Sequence, residues 1–203
     1  MPDETPQIYL ITPPSFDLAS FAPRLASVLD GVDIACLRLD LASDADAIAR
    51  AADALRDLAH ARNVPIVIDR HVGLVDRHGL DGAHLRDGRG LRSLRAELGP
   101  DAILGAACGT SRHDGMNAGD AGADYVAFGP VGETGLGDGT LAPRDLFAWW
   151  SEMIEVPVIA EGGMTTDLVD TFAPVVDFFA VGLEIWRDDD PVRALRDLTA
   201  PLR

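Results

Sequence analysis

Lysine is absent from this sequence, and all 17 basic residues are arginine. That excludes Schiff-base catalysis on a lysine side chain. Compositional bias explains the absence, and the chemical consequence holds whatever the cause. Cysteine is scarce: Cys36 and Cys108 lie in apolar strand-like runs and are too few for a disulfide framework. A reducing cytoplasm is therefore the expected compartment. Positive charge is short overall, since 33 acidic residues leave a formal net charge of −16. That argues against nucleic acid or an anionic membrane as partner. No apolar run is long enough to cross a bilayer, and Met1, Pro2, Asp3 and Glu4 begin the chain with acid rather than a signal core.

What is present is a core. At 203 residues and 47% apolar content, the chain can bury one full hydrophobic interior. Short apolar runs at 8–11, 34–39, 64–68, 82–85, 103–108, 125–128, 156–160 and 177–182 alternate with helical patterns. Ser15 and Ser43 are candidate helix caps, and Ile48, Ala51, Ala52, Leu55, Leu58 and Ala59 form one face of an amphipathic helix. Gly99 and Pro100 end a later helix, and 111–121 is a weak one interrupted by Gly115 and Gly119. Pro143 suits the first turn of the next, and Asp190 with Pro191 opens the closing one. Between them, 129–141 is a loop with five glycines, long enough to be functional. Eight alternations predict a single-domain (β/α)8 TIM barrel over residues 1–203, with an open doubly wound sheet as the rival.

The chain is organised around 156–164 and its echo at 177–182. Each reads as a strand ending in glycine: Gly162 and Gly163 in the first, Gly182 in the second. Main-chain N–H groups at such turns can hold a phosphate without any lysine, and the loops after strands seven and eight of a barrel often do so. The expected partner is thus a phosphorylated small molecule, with self-association into a homo-oligomer left open. Other strand-end candidates are Arg38, Asp40, Asp69, Arg70, His71, Arg86, Asp87, Arg89, His113, Glu133, Glu161 and Glu184. Arg38 ends an apolar strand, so it meets either an anion or a carboxylate such as Asp40 or Asp69. Arg70, Arg86 and Arg89 make a basic rim suited to phosphate or pyrophosphate, or simply a solvated one. His71 and His113 are placed as acid–base groups, whereas His84 reads as a core histidine. Glu161 is the candidate base, with a structural role as the alternative.

With Tyr9 to Thr12, Leu37 with Arg38, Pro65 to Asp69, Asp81 to Leu85, Ala121 to Val131 and Pro157 to Met164 in hand, the chain resembles the thiamine phosphate synthase family, including its thiazole tautomerase relatives. The resemblance implies a (β/α)8 barrel that joins hydroxymethylpyrimidine pyrophosphate to a thiazole phosphate with magnesium, releasing pyrophosphate. It implies Asp69 and, by a one-residue shift, Asp87 as metal ligands. Placement and resemblance together leave Arg38, Glu161 and His71 as catalytic candidates, and Gly129, Gly162, Gly163, Gly182, Arg70 and Arg89 as candidates on the substrates. Several family positions differ. The Gln-x-Arg-x-Lys of strand two reads Cys36 to Asp40, the Asn-Asp after strand three reads Asp69 and Arg70, and Arg89 stands near the second metal aspartate. Ser-Thr-His after strand five becomes Ala107, Cys108 and Gly109, the loop lysine is missing, and the late serine is Leu183. Three readings follow: a synthase of thiamine assembly, a tautomerase-like isomerase, or a non-catalytic binder of a phosphate ligand.

Overall fold

A computed structural model describes residues 5–203, so the acidic start at 1–4 lies outside the described residues. Eight parallel strands close on themselves in sequence order. They are β1 (Gln7–Ile11), β2 (Cys36–Leu39), β3 (Ile66–Asp69), β4 (Gly82–Leu85), β5 (Ile103–Ala107), β6 (Tyr125–Phe128), β7 (Val158–Glu161) and β8 (Phe178–Val181). The register running from Gln7↔Phe178 round to Glu161↔Ala180 completes the ring. Closure settles the architecture as a TIM barrel and removes every sheet edge.

Helices α1 (Leu18–Gly31), α2 (Ala45–His60), α3 (Val75–His78), α4 (Leu91–Leu98), α5 (Arg112–Asp120), α6 (Arg144–Met153), α7 (Thr166–Phe172), α8 (Leu183–Trp186) and α9 (Pro191–Leu198) wrap the outside. None of them is long and apolar enough to cross a membrane. Two expected caps are corrected. Asp17, not Ser15, accepts from Ser20 N, and Asp44, not Ser43, accepts from Ala47 N. In each case the aspartate stands directly before the helix, where its side chain reaches the third following N–H. Pro143 is itself the cap of α6 rather than its first turn. Ser111, Thr165 and Asp190 cap α5, α7 and α9.

Alternation sorts each strand into a helix-facing set and a lumen-facing set. Tyr9, Cys36, Val67, Tyr125, Ala127, Ile159 and Ala180 fill the lumen. Gly105 leaves a gap that the Tyr125 ring occupies; a Cβ there would lie 2.0 Å from Tyr125 Cζ. At the floor, three aspartates repeat one device. Asp81, Asp124 and Asp177 each precede an even-numbered strand and accept from the N–H of Ile66, Leu104 and Val158 on the preceding strand, at 2.7 Å each. These bonds satisfy backbone donors that the ladder leaves open. The charged lumen positions cluster at the opposite end, where the strands finish.

Candidate active site

The last lumen positions of β2, β3, β4 and β7 are Arg38, Asp69, His84 and Glu161, all buried. Strand alternation points them into the lumen at the barrel mouth, in two adjacent layers, Arg38 and His84 from even strands and Asp69 and Glu161 from odd ones, at the end where such barrels carry their sites. They line a cavity of about 300 Å³ together with Asp40, Arg86, Gly129 and Leu136. A larger cavity of about 610 Å³ adjoins it. Arg86, Arg89, Gly109, Ser111, Asn117, Gly129, Asp138 and Thr140 form much of its wall. Arg86, Ala107, Gly109, Gly129 and Gly137 are common to both.

Arg38 meets neither Asp40 nor Asp69 but Glu161, across the lumen, through both guanidinium ends. Both carboxylate oxygens of Glu161 are thereby engaged, which corrects its reading as a free base. Its neighbour His84 is bonded through Nδ1 to the Tyr125 hydroxyl at 3.1 Å, and Tyr125 to the Tyr9 hydroxyl at 2.6 Å. Burial, then the positive charges of Arg38 and Arg86, hold His84 well below the usual imidazole range. It is therefore a neutral imidazole at physiological pH, a core histidine as expected, yet one that faces the cavity.

On the rim, Arg70 donates to Asp40 at 2.7 Å and reaches Asp69 at 3.5 Å. It does so from a backbone φ of +68°, a left-handed conformation that costs a non-glycine residue on the order of 1 kcal/mol. Arg86 donates to Asp69 at 2.9 Å and lies 3.7 Å from Asp40. Three guanidiniums (Arg38, Arg70, Arg86) thus face three carboxylates (Asp40, Asp69, Glu161). Arg89 is 92% exposed in its side chain and pairs with Asp87 at 3.2 Å. His71 and His113 are both exposed; His71 lines neither cavity, and His113 bonds Asn117 along its own helix. Glu133 is exposed in the glycine-rich loop.

The expected magnesium ligands do not fit a metal clamp. Asp69 has one buried oxygen without a partner, but its other oxygen is held by Arg86. Asp87 is exposed and turned to the Arg89 N–H and guanidinium. Among the described residues, no group of three acidic, histidine or cysteine side chains is placed to hold an ion. A hard dication needs several converging oxygens, and here guanidiniums have claimed them.

At the β7 and β8 corner the expected glycine turns are present. Gly162 and Gly163 have φ of +89° and +70°. Gly132 and Val131 donate to Gly162 O at 2.9 and 3.1 Å, and a Cβ on Gly163 would lie 2.5 Å from the Gly132 carbonyl carbon. The loop from β6 to α6 is therefore clamped onto the glycine pair. Leu136 also approaches Gly162, so part of that loop roofs the site. Of the phosphate donors expected there, Gly182 N is already bonded: Glu184 accepts from it at 2.8 Å and from Met164 N at 3.2 Å.

Sequence reasoning missed the Tyr9 to Tyr125 to His84 chain and the pairing of Arg38 with Glu161. Lumen alternation carried the signal for both, once closure set which positions face each other.

The family model described as thiamine monophosphate synthase matches residues 8–185. A thiamine-phosphate synthase of Rhodospirillum centenum is 41% identical over 202 residues, covering 97% of this chain and 98% of that protein. One of Hyphomonas neptunium is 37% identical, covering 96% and 92%. Among solved structures, the thiamine phosphate pyrophosphorylase of Pyrococcus furiosus superposes with a TM-score of 0.83 at 22% identity, covering 97% of this chain and 95% of that one.

Proposed function

We propose, because the chain belongs to the thiamine monophosphate synthase family, that it is a thiamine-phosphate synthase: a transferase joining hydroxymethylpyrimidine pyrophosphate to a thiazole phosphate. The observation that carries this is the 41% identity to a thiamine-phosphate synthase over nearly the whole of both chains. In the reaction, the C–O bond to pyrophosphate breaks with its electron pair, and the thiazole nitrogen supplies the pair that forms the new C–N bond.

The adjoining cavities suit two substrates meeting end to end. The smaller, apolar on its Phe128 and Leu136 side, suits the rings; the larger, with Arg86 and Arg89, suits a pyrophosphate tail. Positive charge against the departing oxygens is what such an ionisation needs. Arg86 is the residue best placed to supply it, since it lines both cavities and its side chain is 58% exposed. Its planar fork can turn from Asp69 to an incoming oxyanion. Arg38 and Glu161 line the smaller cavity as a fixed pair, and neutral His84 lines it with Nδ1 already held by Tyr125. No step is assigned to a protein-held metal, given the fit described above. The isomerase reading takes Glu161 or a histidine as its base; Glu161 has both oxygens on Arg38, and His71 lines neither cavity.

Purified protein incubated with both precursors tests the proposal. Thiamine phosphate seen by mass spectrometry, with one pyrophosphate released per product, supports it. No product beside a working control synthase would overturn it.

A further inference from the structure

Three buried groups stand in file inside the lumen: the Tyr9 hydroxyl, the Tyr125 hydroxyl 2.6 Å from it, and His84 Nδ1 3.1 Å beyond. The file has two contacts, and each contact uses one hydrogen. Tyr9 and Tyr125 bring one hydroxyl hydrogen each. If Nδ1 carried a hydrogen as well, three would compete for two contacts, and among the described residues neither hydroxyl has another acceptor. One buried O–H would go unpaired, a larger penalty than the net worth of an ordinary hydrogen bond. The floor cavity of about 220 Å³ beside the tyrosines does not relieve this. Its walls are chiefly apolar, Ile103, Pro157, Ile159 and Phe178 among them, and Asp124 there is already held by Leu104 N and Arg95, so a water would find few polar partners. With Nδ1 bare, Tyr9 donates to Tyr125, Tyr125 donates to Nδ1, and every hydrogen is used. The neutral ring then carries its own proton on Nε2. Among the described residues Nε2 has no hydrogen-bond partner, and the buried polar atoms left without one are Arg38 Nε and Asp69 Oδ1, so Nε2 keeps surface open to the cavity that His84 lines.

We propose that Tyr125 is a positioning residue that holds His84 in the Nε2–H form, making it a hydrogen-bond donor to a ring nitrogen of the pyrimidine substrate. The tautomer rests on the hydrogen count alone, and the substrate rests on the synthase reading. The smaller cavity is the one suited to the rings. A donor on the thiazole nitrogen would occupy the electron pair that forms the new C–N bond, so the acceptor belongs to the pyrimidine.

Nitrogen-15 spectra of the ring nitrogens at neutral pH, without substrate, read the tautomer. In wild type, Nε2 carries the proton and Nδ1 does not. Tyr9→Phe removes a hydroxyl from the same file but leaves one hydrogen for one contact, so it keeps that pattern. Tyr125→Phe leaves Nδ1 without a donor, and the two ring nitrogens move toward each other in shift as both tautomers become populated. A proton on Nδ1 in wild type, or an unchanged pattern in Tyr125→Phe, would overturn the proposal. Steady-state kinetics then read the substrate. In Tyr125→Phe, KM for the pyrimidine pyrophosphate rises about fivefold while kcat changes little, as expected for one hydrogen bond made equally in ground and transition states. An unchanged KM, or a loss confined to kcat, would overturn the assignment to the pyrimidine. If the spectra behave as stated while wild type forms no thiamine phosphate, the positioning stands and the synthase reading fails.

Discussion

Arg38 of β2 and Glu161 of β7 face each other across the barrel lumen and are joined by two charge-assisted hydrogen bonds, both side chains buried. Each charge is tolerable there only because of the other. Arg38→Ala strands a buried carboxylate and should cost about 3–5 kcal/mol in urea denaturation. Replacing both, as Arg38→Met with Glu161→Leu, should recover most of that loss. Additive losses in the double variant would show that the two residues act separately.

His84 gives the protein a dependence on acid. Burial first, then Arg38 and Arg86, depress its folded pKa well below 6.5. The unfolded chain therefore takes up a proton near pH 6.5 that the folded chain refuses, and stability present above that pH is lost as pH falls below it. The loss attributable to this group is at most about 1.4 kcal/mol per pH unit. His84→Asn should flatten the stability profile below pH 6.5 relative to wild type, measured by denaturant titration at stepped pH; parallel profiles would remove the histidine as the cause.

Gly105 and Tyr125 share one volume inside the lumen. A methyl at Gly105 would lie 2.0 Å from Tyr125 Cζ and 2.5 Å from its hydroxyl oxygen. Gly105→Ala should therefore displace the ring, break its bonds to Tyr9 and His84, and destabilise by about 1–3 kcal/mol. An unchanged melting temperature would mean the lumen repacks freely.

The floor aspartates make a simpler test. Asp177 accepts from Val158 N at 2.7 Å. Asp177→Ala leaves that donor without a partner, which costs about 1–3 kcal/mol, while steady-state kinetics at the opposite end should hold. A loss of activity without loss of stability would place Asp177 in a different role.

Much of this was legible in the sequence. The eight alternations gave the barrel and nearly every strand within two or so residues, because buried parallel strands are apolar on both faces and their glycine and aspartate ends are sharp. His84 read only as a core histidine, whereas Arg38, Asp69 and Glu161 stood out as polar residues at the ends of such runs. Their partners did not, since facing across a lumen depends on closure and register, which no local period encodes. Glu184 was visible as a strand-end acid beside Gly182, but its hold on Met164 N joins two loops and needed coordinates. The caps slipped from serine to aspartate because both residue types bond the first turn equally well.

The central claim is that a leaving pyrophosphate is met here by guanidinium where the family resemblance implies a metal-binding carboxylate. The most direct measurement is kcat/KM for the pyrimidine pyrophosphate in wild type, Arg86→Ala and Asp87→Asn, with magnesium varied. Arg86→Ala should lose about 10²–10³-fold, as expected for removing a group that stabilises developing charge. Asp87→Asn should stay within about threefold at every magnesium level. The reverse ranking, with Asp87 indispensable and Arg86 dispensable, would contradict the account.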